Sequence, residues 1–388
     1  MLKIKDSTIC EHFFEDNSNY YGAVTPPIIQ TSLFTFKTFE DFINASTNER
    51  NNYLYTRGVN PTTEILEKKI AELEKGERAK VFSSGMGAIS ATLFSLLKSG
   101  DHILLINNVY GPATGYSKLL SKFGVESSNI FVNDAKEIEN YVKPNTKIIY
   151  YESPSTQMME MLDIEEIVRI AKKYNVLTMT DNTWSTPFYH KPLTYGVDIS
   201  IHSCTKYIGG HSDVLAGVVI SSNEIIDKIF EHGHQFQGAV IGPYESWLLI
   251  RGLRSLPARL EYQKVTTKKI VEFLKSSPKV KKINHPLCYE GNQKKLADKY
   301  LSGYTSLLSF ELNTNCFEDI CKVVNACKIF QIGVSWGGYE SLILPQYNGK
   351  NDEYLKAFNI PKGLIRLYIG LEDADDLIKD LSDALSKI

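Results

Sequence analysis

From Lys80 to Lys206, short apolar runs alternate with longer amphipathic ones. "KVFSS" leads into "GMGAISATLFSLLKSG", "HILLIN" precedes "ATGYSKLLSKFG", "KIIYYES" precedes "LDIEEIVRIAKKYN", and "VLTMTDN" and "DISIHS" follow. Parallel strands need long crossover connections, so this rhythm predicts a mostly parallel sheet with helices on both faces. Binding sites of such sheets lie beyond the carboxyl ends of the strands. Three of those ends carry small, polar or charged residues, "SSGMG", "ESPST" and "DNTW", and a fourth leads into "SCTKYIGGHSD". The site is expected where these four loops meet.

After Trp247 the rhythm changes to "LLIRGLRSLPARLEYQ", which predicts a long helix, followed by a smaller α/β unit. That unit has a strand at "SLLSFELN" and a closing helix from "LEDADDLIKDL", whose acidic first turn suits the positive end of the helix dipole. The first fifty-odd residues, rich in Asn, Thr and aromatics, predict an arm that packs on something else. The expected division is an arm over 1–59, a large domain over 60–247 and a C-terminal domain over 248–388. With 388 residues, 43% of them hydrophobic, two cores can be filled. Forty-three basic against 45 acidic side chains give a net charge of -2, so neither nucleic acid nor an anionic membrane is an expected partner. The N-terminus has no apolar signal segment and runs such as "VLAGVVI" are too short to span a bilayer, which makes a cytoplasmic chain the expectation. The six cysteines form no CxxC pair, and His232 and His234 are two apart, so reduced thiols and no metal site are expected.

Within the four loops, Lys206 stands between small hydroxyl residues and a glycine pair, an unusual place for a solvated ammonium. Asp181 ends an apolar strand and needs either an arginine partner or a charged ligand. Together, a lysine that can join an aldehyde and an aspartate that can pair with a protonated pyridine nitrogen match pyridoxal phosphate. "SSGMG", with Gly85, Met86 and Gly87 opening a helix, is a natural phosphate seat, although an ordinary βα turn has the same pattern. Ser203 and Thr205 flank the lysine at alternate positions and can bind phosphate or cap the next turn. Tyr110, just past a strand, can stack on a flat ring or simply pack. Tyr55 and Arg57 sit two apart in "YTRGVNPT", and arginine suits phosphate by its planar fork. Arg366 lies in an otherwise apolar strand, where a substrate carboxylate competes with an internal Asp or Glu to be its partner.

These pieces, with "SWGGYESLILP" and "IRLYIGLEDADDLI", resemble in order the Cys/Met-metabolism family of pyridoxal-phosphate enzymes over nearly the whole chain. The resemblance implies the aspartate-aminotransferase-like type I fold, with a mostly parallel central sheet and a smaller C-terminal α/β domain. It implies that Lys206 carries the cofactor, Asp181 holds its ring nitrogen and Tyr110 stacks on the ring. Gly85, Met86, Ser203 and Thr205 would bind the phosphate, and Ser335 and Arg366 the substrate carboxylate. Tyr55 and Arg57 would reach the phosphate of a neighbouring subunit, giving a homodimer or homotetramer with shared sites.

Within that family "SWGGYESL", with Trp336 and Tyr339, is similar to the β-cleaving lyases. The implied substrate is a small thioether amino acid, and the implied reaction takes cystathionine to homocysteine, pyruvate and ammonia, a transsulfuration step toward methionine. The alternatives are a cystathionine γ-lyase, a γ-synthase, a methionine γ-lyase, or a regulatory protein that binds the cofactor without turnover. The cysteine that methionine γ-lyases commonly carry after the stacking tyrosine is absent from "YGPAT". Two departures from the family pattern stand out: the glycine in "YTRGVNPT" is shifted by one, and Thr156 and Gln157 stand where many relatives have Asn-Pro, so neither of those two is assigned a ring contact.

Overall fold

The computed structural model describes residues 4–388 and contains two sheets. The larger has seven strands: β1 (Arg78–Phe82), β2 (His102–Ile106), β3 (Glu126–Ile130), β4 (Thr146–Glu152), β5 (Leu177–Asp181), β6 (Ile199–His202) and β7 (Gly217–Ser221). Their spatial order is β1-β7-β6-β5-β4-β2-β3. Only β7 runs against the others, pairing antiparallel with both β1 and β6. The carboxyl ends of β1, β2, β4, β5 and β6 therefore share one edge. All five residues of β2 are buried, because helices cover both faces, and this is why its sequence is an unbroken apolar run rather than an alternation.

Two strands do not follow from the alternation. β3, "ESSNI", is an edge strand and polar for that reason. β7 hides in "VLAGVVI", an apolar run whose antiparallel insertion no local signal marks.

The helices obey ordinary end rules. Helix Pro61–Glu74 opens with proline behind Asn60, whose side chain accepts from Thr62 N at 3.0 Å. Helix Ile164–Tyr174 carries Glu165 and Glu166 in its first turn and Lys172 and Lys173 in its last, and stops at Asn175 in the left-handed region.

The smaller sheet, ordered β10-β11-β12-β9-β8, comprises β8 (Val280–Asn284), β9 (Leu307–Leu312), β10 (Gln331–Ile332), β11 (Leu342–Pro345) and β12 (Leu364–Tyr368). One 34-residue helix, Pro243–Ser276, joins the halves and runs straight through the boundary expected at 247/248. A Cβ on its Gly252 would lie 2.3 Å from Ile208 O, so only glycine lets the helix press against the loop after Lys206. Helix Asp6–His12 of the arm is pinned to the body by Glu15, which pairs with buried Lys69 at 2.9 Å and with Arg254 at 2.7 Å. Further along, the arm leaves Leu33, Phe39, Phe42 and Ile43 exposed. Among the described residues no helix is long and apolar enough to cross a membrane.

Candidate active site

β6 is buried along its length and delivers Ser203 to Lys206 at the shared edge. Lys206 Nζ donates to Ser335 Oγ at 2.7 Å and lies 5.5 Å from the centre of the Trp336 ring. Burial pulls the lysine pKa down to about 8; Arg366 adds to this and Asp181 opposes it. Gly337, at φ +86°, crosses directly over the lysine backbone, where a Cβ would come within 2.6 Å of Lys206 C. The glycine pair after the lysine also has its reason. Gly210, at φ +70°, leaves room for the Arg259 guanidinium, which donates to Tyr207 O and Gly252 O from beneath.

Each residue of "DNTW" holds something. Asp181 Oδ1 accepts from Thr183 N at 2.9 Å and from Thr183 Oγ1, while Oδ2 has no donor among the described residues. Asn182 donates to Glu74, and Thr183 Oγ1 accepts from Ser203 N at 2.8 Å, tying the aspartate loop to the lysine loop. Trp184 Nε1 donates to Leu307 O of the small sheet. The sheet register sets Glu152 beside Asp181. Burial first, and then the Asp181 charge, push Glu152 up to about 8, so it is protonated at neutral pH, and its Oε1 accepts from Tyr110 N. Burial raises the Asp181 pKa as well, but the Thr183 bonds, His202 and Lys206 favour its ionised form.

The turn after β1 forms a cradle. Ser84 caps helix Gly85–Leu96 by accepting from Gly87 N at 2.9 Å, which leaves the N–H groups of Gly85 and Met86 without an intrahelical acceptor. Gly85 backs onto Ser203, where a Cβ would stand 3.1 Å from Oγ. Thr205 is beside the cradle, but its hydroxyl is already engaged with Ala216 N and O. Across the gap, Arg366 of β12 donates to Val334 O and Ser335 O and has no acidic partner among the described residues. Burial lowers its pKa to about 10, opposed by Tyr110, and it stays cationic at neutral pH. Tyr110 itself is 44% exposed toward this gap. Tyr55 and Arg57 stand apart from the cluster: Arg57 Nε donates to Gln235 Oε1 at 2.9 Å, and both line a cavity of about 380 Å³ with Val240 to Pro243. Sequence reasoning does not single out Glu152 or Thr183. The end position of Glu152 on the strand next to Asp181 was the available signal.

The donor set suits an aldehyde-bearing pyridine phosphate. An amine with lowered pKa, a carboxylate oxygen lacking a donor, and a glycine-opened helix end converge, and a guanidinium without a counter-charge faces them.

Comparison with known proteins agrees. The family model described as Cys/Met metabolism PLP-dependent enzyme matches residues 7–386. The chain is 39% identical over 377 residues to an L-methionine gamma-lyase of Fusobacterium nucleatum subsp. polymorphum, covering 95% of each chain. It is 38% identical over 374 residues to a cystathionine beta-lyase of Lactococcus lactis subsp. cremoris, covering 94% of this chain and 95% of the other. A crystal structure from Campylobacter jejuni that contains N′-pyridoxyl-lysine-5′-monophosphate superposes with a TM-score of 0.91 at 29% identity, over 99% of this chain and 100% of that one. The chain thus belongs to the Cys/Met metabolism PLP-dependent enzymes, and pyridoxal phosphate is its cofactor.

Proposed function

We propose that this enzyme is a carbon–sulfur β-lyase that cleaves cystathionine, with water, to homocysteine, pyruvate and ammonia. The observation that carries the reading is Trp336, whose ring packs edge-on against Tyr207 at 5.5 Å and stands equally close to Lys206 Nζ. An indole wedged beside the base narrows the space in which the substrate chain can turn. That favours a pose in which Lys206 addresses the α-proton and the thiolate leaves from the adjacent carbon, without a second proton transfer at the β-carbon.

Bound pyridoxal phosphate supplies an aldehyde to join the substrate amine and a ring that withdraws electrons from the α-carbon. In this reading the chain's residues do the rest. Lys206 would hold the cofactor through its side-chain amine, and its lowered pKa suits that amine to take the substrate's α-proton. Ser335 Oγ, 2.7 Å from Nζ, fixes where the base points. Arg366 takes the substrate carboxylate in a charge-assisted pair. Asp181 would keep the ring nitrogen protonated, and Tyr110 would pack on the ring. Gly85, Met86 and Ser203 would bind the phosphate; Thr205 would have to give up its bonds to Ala216 to join them. Tyr55, Arg57 and the exposed apolar arm are read as contacts to a second copy that completes each site.

A second reading, γ-elimination, draws support from the methionine gamma-lyase relative. Product analysis on cystathionine decides. Pyruvate with homocysteine is expected as the main pair, and 2-oxobutyrate with cysteine as the main pair would overturn β-cleavage.

A further inference from the structure

Two loops meet over the base. One follows β6 and runs from Lys206 to Asp213; the other, between β10 and β11, carries Ser335 and Trp336. They approach so closely that the second loop needs glycine twice. A Cβ on Gly337 would come within 2.6 Å of Lys206 C and Tyr207 N, and one on Gly338 would stand 2.2 Å from Ser212 Oγ and 2.4 Å from Glu340 Oε2. The second glycine is crowded by a bond that crosses it: Ser212 Oγ donates to Glu340 Oε1 at 2.6 Å and to Oε2 at 2.8 Å. Ser212 holds this bond from φ +56°, in the left-handed region that glycine enters freely and other residues seldom do. What serine adds at that position, and glycine lacks, is the hydroxyl. Backbone of this kind persists where the surroundings fix it, and it collects at functional sites.

Among the described residues two side-chain pairs join these loops, Lys206 with Ser335 at 2.7 Å and Ser212 with Glu340. The first depends on what Nζ is doing, because that amine also serves the cofactor and the α-proton. The second depends on neither. The β10–β11 connection is tied at both ends to its own domain: Arg366 donates to Val334 O and Ser335 O, and Glu372 accepts from Ser341 N at 2.8 Å and from Ser341 Oγ at 2.7 Å. Ser212 thus supplies a tie from the large domain that does not draw on the reacting amine.

We infer that Ser212 and Glu340 are paired positioning residues: their bond pins the β10–β11 connection to the lysine loop and fixes where Ser335 and Trp336 stand relative to Lys206. Neither touches the reacting atoms. A displacement of about 1 Å between a base and the groups that direct it can cost on the order of a hundredfold in rate, so a bond of small energy can matter through geometry. The effect on which carbon loses its sulfur runs through Trp336, and there the inference rests on the β-cleavage reading.

The test uses cofactor-loaded enzyme carrying Ser212→Ala, Glu340→Ala or both, with cystathionine as substrate and rates expressed per bound cofactor. Each single variant should lower kcat about three- to tenfold and shift the ratio of pyruvate to 2-oxobutyrate several-fold, with cofactor absorbance as in wild type. Melting should barely move, since the bond is exposed and surface substitutions change stability little. The double variant should lose no more than either single, because both remove the same bond. Glu340→Gln keeps an acceptor for the serine hydroxyl and should recover most of what Glu340→Ala loses. A wild-type product ratio in both single variants, or losses that add in the double, would overturn the pairing. Should Glu340→Ala not fold, Ser212→Ala decides alone by the product ratio. The β-cleavage reading fails separately: 2-oxobutyrate as the main wild-type product removes that reading, while the pairing still stands or falls by whether the variants depart from the wild-type ratio.

Discussion

The two faces of the active site are built by different means. On the cofactor face the key side chains stand at the ends of adjacent parallel strands, so one register places Glu152 beside Asp181 and Asp181 beside Ile201, next to His202. On the substrate face Ser335 and Trp336 come from a connection between β10 and β11, and Arg366 from the middle of β12. That connection is held by bonds to its own backbone: Tyr368 OH donates to Gly338 O at 2.6 Å, Leu371 N to Tyr339 O at 2.8 Å, and Arg366 to Val334 O. A sheet edge positions groups collectively and tolerates little change. A tethered loop can be re-cut one side chain at a time, so this is the face on which regiochemistry can vary while the cofactor stays the same.

The strongest way to break this contrast is Lys206→Ala. It should abolish retention of the cofactor on dialysis and lower turnover by roughly a thousandfold or more. If sites are shared, mixing this variant with an Arg57→Ala variant should restore part of the activity, read in a product assay after subunit exchange. Wild-type turnover in Lys206→Ala would remove the lysine from the mechanism.

On the opposite face, Arg366→Gln should raise KM about 10- to 100-fold, the worth of a charge-assisted hydrogen bond, while cofactor absorbance stays as in wild type. A changed spectrum with unchanged KM would show that the two faces are not separable in this way.

The smallest effect sharpens the cofactor face. Glu152 is held protonated up to about pH 8 in the folded chain, whereas the unfolded side chain ionises near its ordinary value of about 4.3. A folded pKa raised above the unfolded one contributes stability that is full below the lower value and is lost as pH rises through the upper one. Glu152→Gln stays neutral and keeps an acceptor for Tyr110 N. Melting of the cofactor-free protein should therefore match wild type at and below about pH 4 and exceed it by a few degrees above about pH 8. A constant offset at every pH would contradict the raised pKa.

The sequence makes the cofactor face easy to read because strand ends, a lysine among small residues and a glycine-opened helix are local patterns. "DNTW" and "SSGMG" can be marked as candidate site loops without knowing the fold around them, although sequence leaves open whether each binds a ligand or only packs. Glu74 and Glu152 are not legible in that way, since each acquires its meaning from a neighbour brought in by packing or by sheet register. The single antiparallel strand β7 escapes for a similar reason: its apolar run is identical in character to a parallel one. Thr205 shows the limit from the other side, because its position beside the cradle follows from sequence while its bonds to Ala216 do not.

The helix Pro243–Ser276 has a mechanical consequence. It touches the lysine loop at Gly252 with no side chain in between, and its far end packs on β8 of the small sheet. From Gly252 to Ser276 the helix runs about 36 Å, so each degree of tilt at that contact would swing the far end by about 0.6 Å. Residues at that contact, remote in sequence from Arg366, therefore link the loop that carries Lys206 to the sheet that carries Arg366.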